Sequence, residues 1–363
     1  MDPRSTRIVH FPAEVDVNPY TRLLYGALAR HGFELVPDAE LAPKWLWRYR
    51  RTVGFLHFHW TPNDLYEWRW GPAPLRVAGS SLGLGWFAVR LRLARLLGYR
   101  IVWTVHEVYP HVSASRRLDR IAGRLLARRS HVLMAHDRAT ARRVETELGV
   151  AATTITVVPV GSYAGVYPPG RARDAVREEL AVPPDAFVFL AFGSIKPYKR
   201  LDLLLEAFRW LDLPEARLLV VGNVREQDAP IGEAVRVAAE HDPRITPVLG
   251  LVPDERVAEL FDASDAVVLS RADGWTSSVL VLALGEGRPV VAARTSLYEE
   301  LTNEGAAGWL FEPGDAGSLR ETLAAAAADP ELAREKGIAA ARIAARLSWE
   351  KTAELTARLL LAR

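Results

Sequence analysis

The chain has 363 residues, a net charge of +2 from 46 basic and 44 acidic side chains, and no cysteine. Its 49% hydrophobic and 25% charged residues argue against disorder, and the lack of cysteine excludes disulfide scaffolds, thiolate metal sites and cysteine nucleophiles. At about 150 residues per domain, the length predicts two domains.

Predicted strands and helices alternate through the first half of the chain. Apolar runs predict strands at 7–11, 53–60, 100–106, 131–136 and 155–161. Residues with helical spacing predict helices between them, at 21–32, 82–97, 116–129 and 140–148. This order is typical of a parallel sheet covered by helices, so the expected fold class is α/β.

The second half repeats this alternation after an interruption. The Pro- and Gly-bearing segment 166–184 predicts a linker between an N-terminal Rossmann-like domain at 1–165 and a second one at 185–345. Ligands of open α/β sheets bind at the carboxyl ends of the strands. Motifs directly after strands are therefore the candidate sites.

The two halves differ in charge. Residues 1–170 carry a net charge of +10, from 23 basic and 13 acidic side chains, and the remainder carries −8. A basic domain attracts nucleic acid, an anionic membrane surface or a phosphorylated substrate, although an arginine-rich composition also explains scattered surface arginines. The segments 44–51 and 90–97 mix basic and apolar residues, which suits peripheral membrane contact. Internal packing of Trp45 and Trp47 is the alternative.

The start of the chain has no apolar stretch typical of a signal peptide. No window reaches the roughly 18 apolar residues of a spanning helix. The expected location is the cytoplasm, at the inner face of the cell membrane if the peripheral contact forms.

Three motifs follow predicted strands of the second domain. In FGSIKPYKR, Gly193 permits close backbone approach and Lys199 adds a positive charge before a helix, which suits a diphosphate; an exposed loop is the alternative. In SRADGWTSS, hydroxyl residues precede a helix and either cap it or bind an anion. After the strand PVVAA, the pair ending at Glu300 either accepts sugar hydrogen bonds or lies at the surface.

The order and spacing of FGSIKPYKRLDLLLEAF, LVPDERVAELFDASDAVVLS, TSSVLVLALGEGRPVVAA and GWLFEPGD resemble the donor domain of GT-B fold glycosyltransferases, in particular the family 4-type group. The resemblance covers about 187–328, and it implies two Rossmann-like domains facing each other across a cleft. SWEKTA resembles the start of the helix that crosses back to the first domain in this family, here 346–363.

The resemblance implies a hexosyltransferase. The second domain would hold a nucleoside diphosphate-sugar, UDP- or GDP-linked. The first domain would hold a hydroxyl acceptor, such as a glycan or a lipid-linked sugar. No metal ion or other cofactor is expected.

The resemblance also implies donor-binding residues. Lys199 matches the family's diphosphate-binding lysine and Gly193 its glycine, whereas Ser194 stands in place of the usual arginine, whose charge Lys196 would supply. The remaining matches, in the loop near the distal phosphate and sugar and after the next strand, are Asp273, Thr276, Ser277, Ser278 and Glu300.

One pair of family residues is not intact. Asp273 or Gly274 stands near the first of two glutamates, and Leu282 occupies the second position, where a glutamate usually holds the ribose. Because leucine cannot accept those hydrogen bonds, either Glu286 or Glu300 binds the ribose, or the chain belongs to a divergent branch.

In the first domain, VVPVGSYAGVYP, WTVHEVYPH, HFHW and VNPYTRLLYGAL resemble a bacterial subset of the same superfamily. The resemblance implies that His106 contacts the donor sugar. The expected acceptor-binding residues are Asn18, His59 and His111, whereas His57 is interpreted as structural.

The stereochemistry of transfer stays open at this point. An inverting reaction needs a base that accepts the acceptor proton, and Asp16 and Glu107 are the candidates for it. With His106, they are the predicted catalytic residues. A retaining reaction needs no separate strong base.

Three other functions compete with sugar transfer. A sugar-nucleotide epimerase shares the architecture, and a degenerate module that binds a carbohydrate or a protein partner would explain Leu282. Nucleic-acid binding ranks last, because no motif for it is present.

Overall fold

The computed structural model describes residues 4, 6–12, 19–110, 113–272 and 274–362, the side chain of Ala152 excepted. They form two compact units. The first comprises 1–161 with 347–363, and the second comprises 162–346.

Parallel strands and flanking helices make up the first unit. Its strands are β1 (Arg7–Phe11), β2 (Glu34–Leu35), β3 (Phe55–His59), β4 (Arg100–Val105), β5 (Val132–Ala135) and β6 (Ile155–Val157). Its first five helices are α1 (Tyr20–Arg30), α2 (Pro43–Tyr49), α3 (Ala73–Leu96), α4 (Arg116–Arg129) and α5 (Arg138–Leu148). The sheet order is β2-β1-β3-β4-β5-β6, with every pairing parallel.

The second unit repeats this arrangement of parallel strands and flanking helices. Its strands are β7 (Phe187–Phe192), β8 (Ala216–Gly222), β9 (Ile245–Leu249), β10 (Ala266–Leu269), β11 (Val290–Ala293) and β12 (Gly308–Phe311). Its helices are α6 (Arg173–Glu179), α7 (Leu201–Arg209), α8 (Ala229–His241), α9 (Asp254–Ala263), α10 (Ser278–Gly285), α11 (Ser296–Thr302), α12 (Ala316–Ala327) and α13 (Pro330–Ala344). The parallel sheet order is β12-β11-β10-β7-β8-β9, which confirms the α/β class.

The last helix, α14 (Trp349–Leu361), belongs to the first unit and packs on α1. The Thr352 hydroxyl donates to the Pro159 carbonyl at 2.7 Å, and Arg100 donates to the Leu360 carbonyl at 2.6 Å. An ion pair of 2.7 Å joins Arg30 and Glu350 across the two helices. Helix α14 is therefore held at both of its ends.

The segment 166–184, predicted as a linker, contains helix α6 of the second unit. Arg177 is 3% exposed, donates from Nε to the Ala263 carbonyl at 3.0 Å, and pairs with Asp265 at 2.8 Å. Only the packed fold shows that this arginine satisfies buried carbonyls of the second unit.

Helix α3 begins at Ala73, nine residues before the predicted start at Leu82. Glycines weaken helical patterns in a sequence, but here they permit close packing. A Cβ on Gly83 would lie 2.1 Å from the Tyr66 carbonyl oxygen, so the chain before α3 lies directly on the helix backbone.

We predict opposite effects of alanine at two glycines of α3. Gly83→Ala forces the Tyr66 backbone away and should lower the free energy of unfolding by about 1–3 kcal/mol. Gly85→Ala meets no atom within 4 Å and should raise it by up to about 1 kcal/mol through helix propensity. Urea denaturation measures both, and equal effects would contradict the packing described.

Candidate functional site

In the second sheet, the strand order reverses between the neighbours β7 and β10. Loops that leave two such strands at their carboxyl ends diverge to opposite faces, which opens a crevice for a ligand. Both motifs singled out in the sequence, FGSIKPYKR and SRADGWTSS, leave the sheet at this point.

The loop after β7 holds an amine beside a glycine. Gly193 has φ +93°, a conformation that favours glycine, and a Cβ there would lie 2.8 Å from Nζ of Lys199. The same Nζ donates to the Phe192 carbonyl at 2.7 Å. Lys199 is thereby held at the end of β7, where the sequence predicted a diphosphate site.

The loop after β10 contacts the same segment. The Ser270 hydroxyl donates to the Lys199 carbonyl at 2.7 Å, and the Arg271 guanidinium lies 4.8 Å from the Tyr198 ring centroid. A Cβ on Gly193 would also lie 3.4 Å from the side chain of Val279, in the first turn of α10. The two motifs therefore form one site with two neighbouring cations.

Burial, and secondly the nearby charge of Arg271, lower the pKa of Lys199 from 10.5 to about 7. An anion placed against Nζ would reverse both effects, because it stabilises the protonated amine. The site is therefore suited to a ligand that brings negative charge.

The loop that carries Thr276, Ser277 and Ser278 also caps helix α10. Ser277 is buried and accepts a hydrogen bond from the Leu280 N–H at 3.3 Å, so it caps the helix. Thr276 is partly buried and Ser278 is exposed at the start of the same helix. Gly274, with φ +65°, turns the chain into this loop.

Other predicted donor residues differ in placement. Lys196 pairs with Asp228 at 2.7 Å, so its charge is already balanced, and Ser194 is partly buried. Glu300 is exposed on α11, the helix that follows the carboxyl end of β11.

Glu286 does not suit the ribose role. It follows the last residue of α10, about 12 Å from the Ser277 end of this eight-residue helix. Leu282 is buried within the helix. Of the two glutamates considered, only Glu300 lies beyond the carboxyl end of a strand.

The first unit gathers histidines at the same edge of its own sheet. His10, His57 and His59 lie in β1 and β3, whereas His106 and His136 directly follow β4 and β5. The Tyr25 hydroxyl bonds His57 Nδ1 and His59 Nε2, each at 2.9 Å. His57 Nε2 bonds the Thr104 hydroxyl at 2.8 Å, so both of its ring nitrogens are satisfied, as a structural role predicts.

His106 and His59 each keep one buried ring nitrogen, Nε2 and Nδ1 respectively, without a hydrogen-bond partner among the described residues. His106 stacks on Trp60 with ring centroids 4.8 Å apart, and its ring lies 4.8 Å from that of His136. Glu107 is partly buried next to it. Within the described ranges, no three histidines or carboxylates are arranged to hold a metal ion.

Burial first, and then the charges of neighbouring histidines, lowers the pKa of His59 and His106 well below 6.5. The same causes lower the pKa of His57 to about 3, and burial lowers that of His136 to about 4. All four imidazoles are therefore neutral at pH 7, suited to hydrogen bonding rather than to charge.

A cavity of about 400 Å³ adjoins His59 in the first unit. Its lining includes Phe11 and Phe58, which lie near the ends of β1 and β3, and the charged residues Glu40, Asp64 and Arg90. It lies at the point where the order of the first sheet reverses, between β1 and β3.

Asp16, Asn18, His111 and Asp273 lie outside the described residues. Arg271, Tyr25, His10 and His136 were not predicted as site residues. Arg271, His10 and His136 carried one signal that could have found them, since each lies at or directly after the end of a strand.

We predict that acid destabilises the first unit. The pKa of His57 is lower in the folded chain than in the unfolded chain. Between about pH 6.5 and 3 the unfolded chain therefore binds more protons than the folded one, and the free energy of unfolding falls as the pH is lowered. His57→Gln should remove about 2 kcal/mol of that fall between pH 7 and 5. Denaturant titrations at both pH values test this, and the exposed His241→Gln is the control.

Family models match both halves of the chain. "Glycosyl transferases group 1" matches residues 172–342, and "Glycosyltransferase Family 4" matches residues 79–161. The matched ranges include the Lys199 site, and they include His106 and His136 with the strands that precede them.

Similar curated proteins are glycosyltransferases. A GDP-mannose:glycolipid 4-beta-D-mannosyltransferase of Xanthomonas campestris pv. campestris is 28% identical over 82% of this chain and 75% of its own length. A D-inositol 3-phosphate glycosyltransferase of Nocardia farcinica is 30% identical over 61% of this chain, which spans half of that relative.

Solved structures share the fold. A sucrose-phosphate synthase of Thermosynechococcus elongatus superposes with a TM-score of 0.74 at 18% identity, over 98% of both chains. HepE of Anabaena, solved with UDP and glucose, gives 0.73 at 17% identity, over 97% of this chain and 98% of that one. These matches do not favour an epimerase or a degenerate module. The chain belongs to the family 4-like group of GT-B glycosyltransferases, hexosyltransferases that take their sugar from a nucleotide-sugar donor.

Proposed function

We propose that the enzyme transfers a hexose from a UDP- or GDP-linked donor, bound by the second unit, to a hydroxyl of a glycan or lipid-linked acceptor, bound by the first. The names of similar proteins support these classes: HepE was solved with UDP, and the Xanthomonas relative is a GDP-mannose:glycolipid mannosyltransferase. The observation that carries the donor site is the amine of Lys199, held beside Gly193 and the first turn of α10.

As the sugar leaves, its anomeric carbon becomes cation-like and the diphosphate gains negative charge. Lys199, protonated by the approach of the anion, stabilises this charge together with Arg271 and the free N–H groups of α10. Side-chain cations carry the leaving charge in this proposal, so transfer proceeds without a metal ion. Thr276, Ser278 and Asp273 contact the distal phosphate and sugar, and Glu300 takes the ribose in place of the glutamate that Leu282 replaces.

In the first unit, the cavity beside His59 receives the acceptor, together with Asn18 and His111. Phe11 and Phe58 in its lining suit an acceptor with an apolar part. His106 offers a buried, unpartnered nitrogen on a neutral ring, which suits a hydrogen bond with a sugar hydroxyl. Asp16 or Glu107 would take the acceptor proton in an inverting transfer. The enzyme would act at the inner face of the cell membrane when the acceptor is lipid-linked.

We predict that Lys199→Met weakens UDP or GDP binding at least tenfold, since a charge-assisted hydrogen bond contributes about 1.5–3 kcal/mol. In the unmutated enzyme, affinity should fall as pH rises from 7 to 9, because binding raises the pKa of Lys199 and takes up a proton. Calorimetric titration measures both effects.

The matched control is Lys351→Met, which removes an exposed ammonium group of α14. It should bind like the unmutated enzyme and keep the same pH dependence. A Lys199→Met variant with unchanged affinity would refute the proposed donor site.

The nucleobase of the donor is tested by binding. A thermal-shift panel of UDP, GDP, ADP and dTDP identifies it, because a ligand that binds only the folded state raises its Tm.

The acceptor and the catalytic residues are tested by turnover. Labelled donors should release nucleotide only with an acceptor, and His106→Ala should lower kcat at least tenfold. Asp16→Ala or Glu107→Gln identifies the catalytic base if it lowers kcat by about 100-fold or more. Turnover without acceptor would instead indicate epimerisation.

A further inference from the structure

Helix α3 has an apolar face that is exposed, with none of the described residues covering it. Nine of the large hydrophobic side chains that are exposed among the described residues lie between positions 47 and 96. Five of them are on α3: Leu75, Val77, Leu82, Trp86 and Val89, and a sixth, Leu96, ends the helix. Exposed apolar side chains are ordinary when scattered, but a contiguous set marks an interaction surface.

The spacing of these residues makes them one stripe. Leu75, Leu82, Trp86, Val89 and Leu96 follow one another at intervals of seven, four, three and seven residues, so they share one face of the helix. Leu82 is 80% exposed and Leu96 76%. The residues that α3 buries, Ser80, Leu84, Phe87, Leu91 and Ala94, occupy the opposite face.

Three exposed tryptophans belong to segments next to this helix in the sequence or in the fold. The Trp68 ring packs over Gly79 of α3 and is still half exposed, and Trp70 is exposed in the same loop. Trp47 is exposed on α2, which packs on α3, and the Arg50 guanidinium lies 3.8 Å from its ring centroid. The alternative of internal packing, predicted for both Trp45 and Trp47, holds only for Trp45, which is buried.

The two helices that carry most of this surface have charged side chains of one sign. Helices α2 and α3 contain no aspartate or glutamate, and they carry Lys44, Arg48, Arg76, Arg90, Arg92 and Arg95. Of the acidic residues before α3, Asp64 and Glu67 both pair with Arg69. A second copy of the chain would bring arginines against arginines. A surface of tryptophan, leucine and arginine is instead complementary to the headgroup layer of an anionic bilayer.

We propose that the outer face of α3, with Trp47, Trp68 and Trp70, docks the enzyme on an anionic lipid bilayer. The helix lies in the plane of the interface, with its apolar stripe among the headgroups and its arginines on lipid phosphates. None of the described helices is long and apolar enough to span a bilayer, so this mode of contact is peripheral. This surface is the site of the membrane contact in the proposed function, on which the inference rests. Arg90 connects the surface with the proposed acceptor cavity, since it lies on α3 and also lines the cavity beside His59.

Co-sedimentation with vesicles tests this surface without using activity. The full-length enzyme should bind vesicles containing phosphatidylglycerol, bind phosphatidylcholine vesicles weakly, and dissociate as salt is raised. Leu82→Ser with Trp86→Ser, both at exposed positions, should raise the lipid concentration for half-binding at least tenfold. The control, Trp210→Ser with Leu251→Ser, removes two equally exposed apolar side chains of the second unit and should bind normally.

Equal binding by the two double variants, or no binding by the unmutated enzyme, would overturn the proposal. So would a dimer, seen by light scattering, that the Leu82 and Trp86 substitutions dissociate, because a second copy would then cover the stripe. Nucleotide-induced thermal shifts are measured on the same proteins. If nucleotide shifts the Tm of none of these proteins, the proposed donor site is contradicted. A variant that fails to bind vesicles but shows the normal nucleotide-induced shift is folded, and it supports the proposed docking surface.

Discussion

The site of the second unit depends on how closely the chain after β7 approaches itself. The amine of Lys199 reaches the carbonyl of Phe192 only because Gly193 has no side chain there and adopts a positive φ. A similar limit applies at the end of β8, where a Cβ on Gly222 would lie 2.2 Å from the Gly193 carbonyl oxygen. With both glycines in place, a cation is held in a partly desolvated position. That position lowers its pKa and makes an anionic ligand its natural partner.

The first unit uses the corresponding edge of its sheet differently. Its strand ends carry imidazoles in place of ammonium groups, helix α1 adds the hydroxyl of Tyr25, and burial keeps these imidazoles neutral. Neutral donors and acceptors are suited to hydroxyl groups, just as the cations of the second unit are suited to phosphates. In the proposed function, the two units therefore divide between them the two chemistries that sugar transfer requires.

Much of the fold could be predicted because strands buried on both faces must be almost entirely apolar. Strand β1 begins and ends at the predicted residues, and β3 lies within the predicted 53–60. Helices were harder where packing overrides propensity. The first two turns of α3 contain a glycine that contacts Trp68, and α6 carries an arginine that serves as a buried hydrogen-bond donor. A local sequence pattern shows neither contact. The glycine contacts a tryptophan outside the helix, and the arginine is buried, which is unusual for this residue type.

The sequence by itself determined the α/β class and the family, and it predicted a role for Lys199, because these depend on residue order and on which residue types follow apolar strands. The tertiary structure decided which charges surround that lysine. It placed Arg271 close enough to affect the pKa of Lys199, paired Lys196 with Asp228, and put Glu286 at the far end of α10. It also separated the buried face of α3 from its exposed one. These outcomes depend on distances between residues that are remote in the chain, and only packing sets those distances.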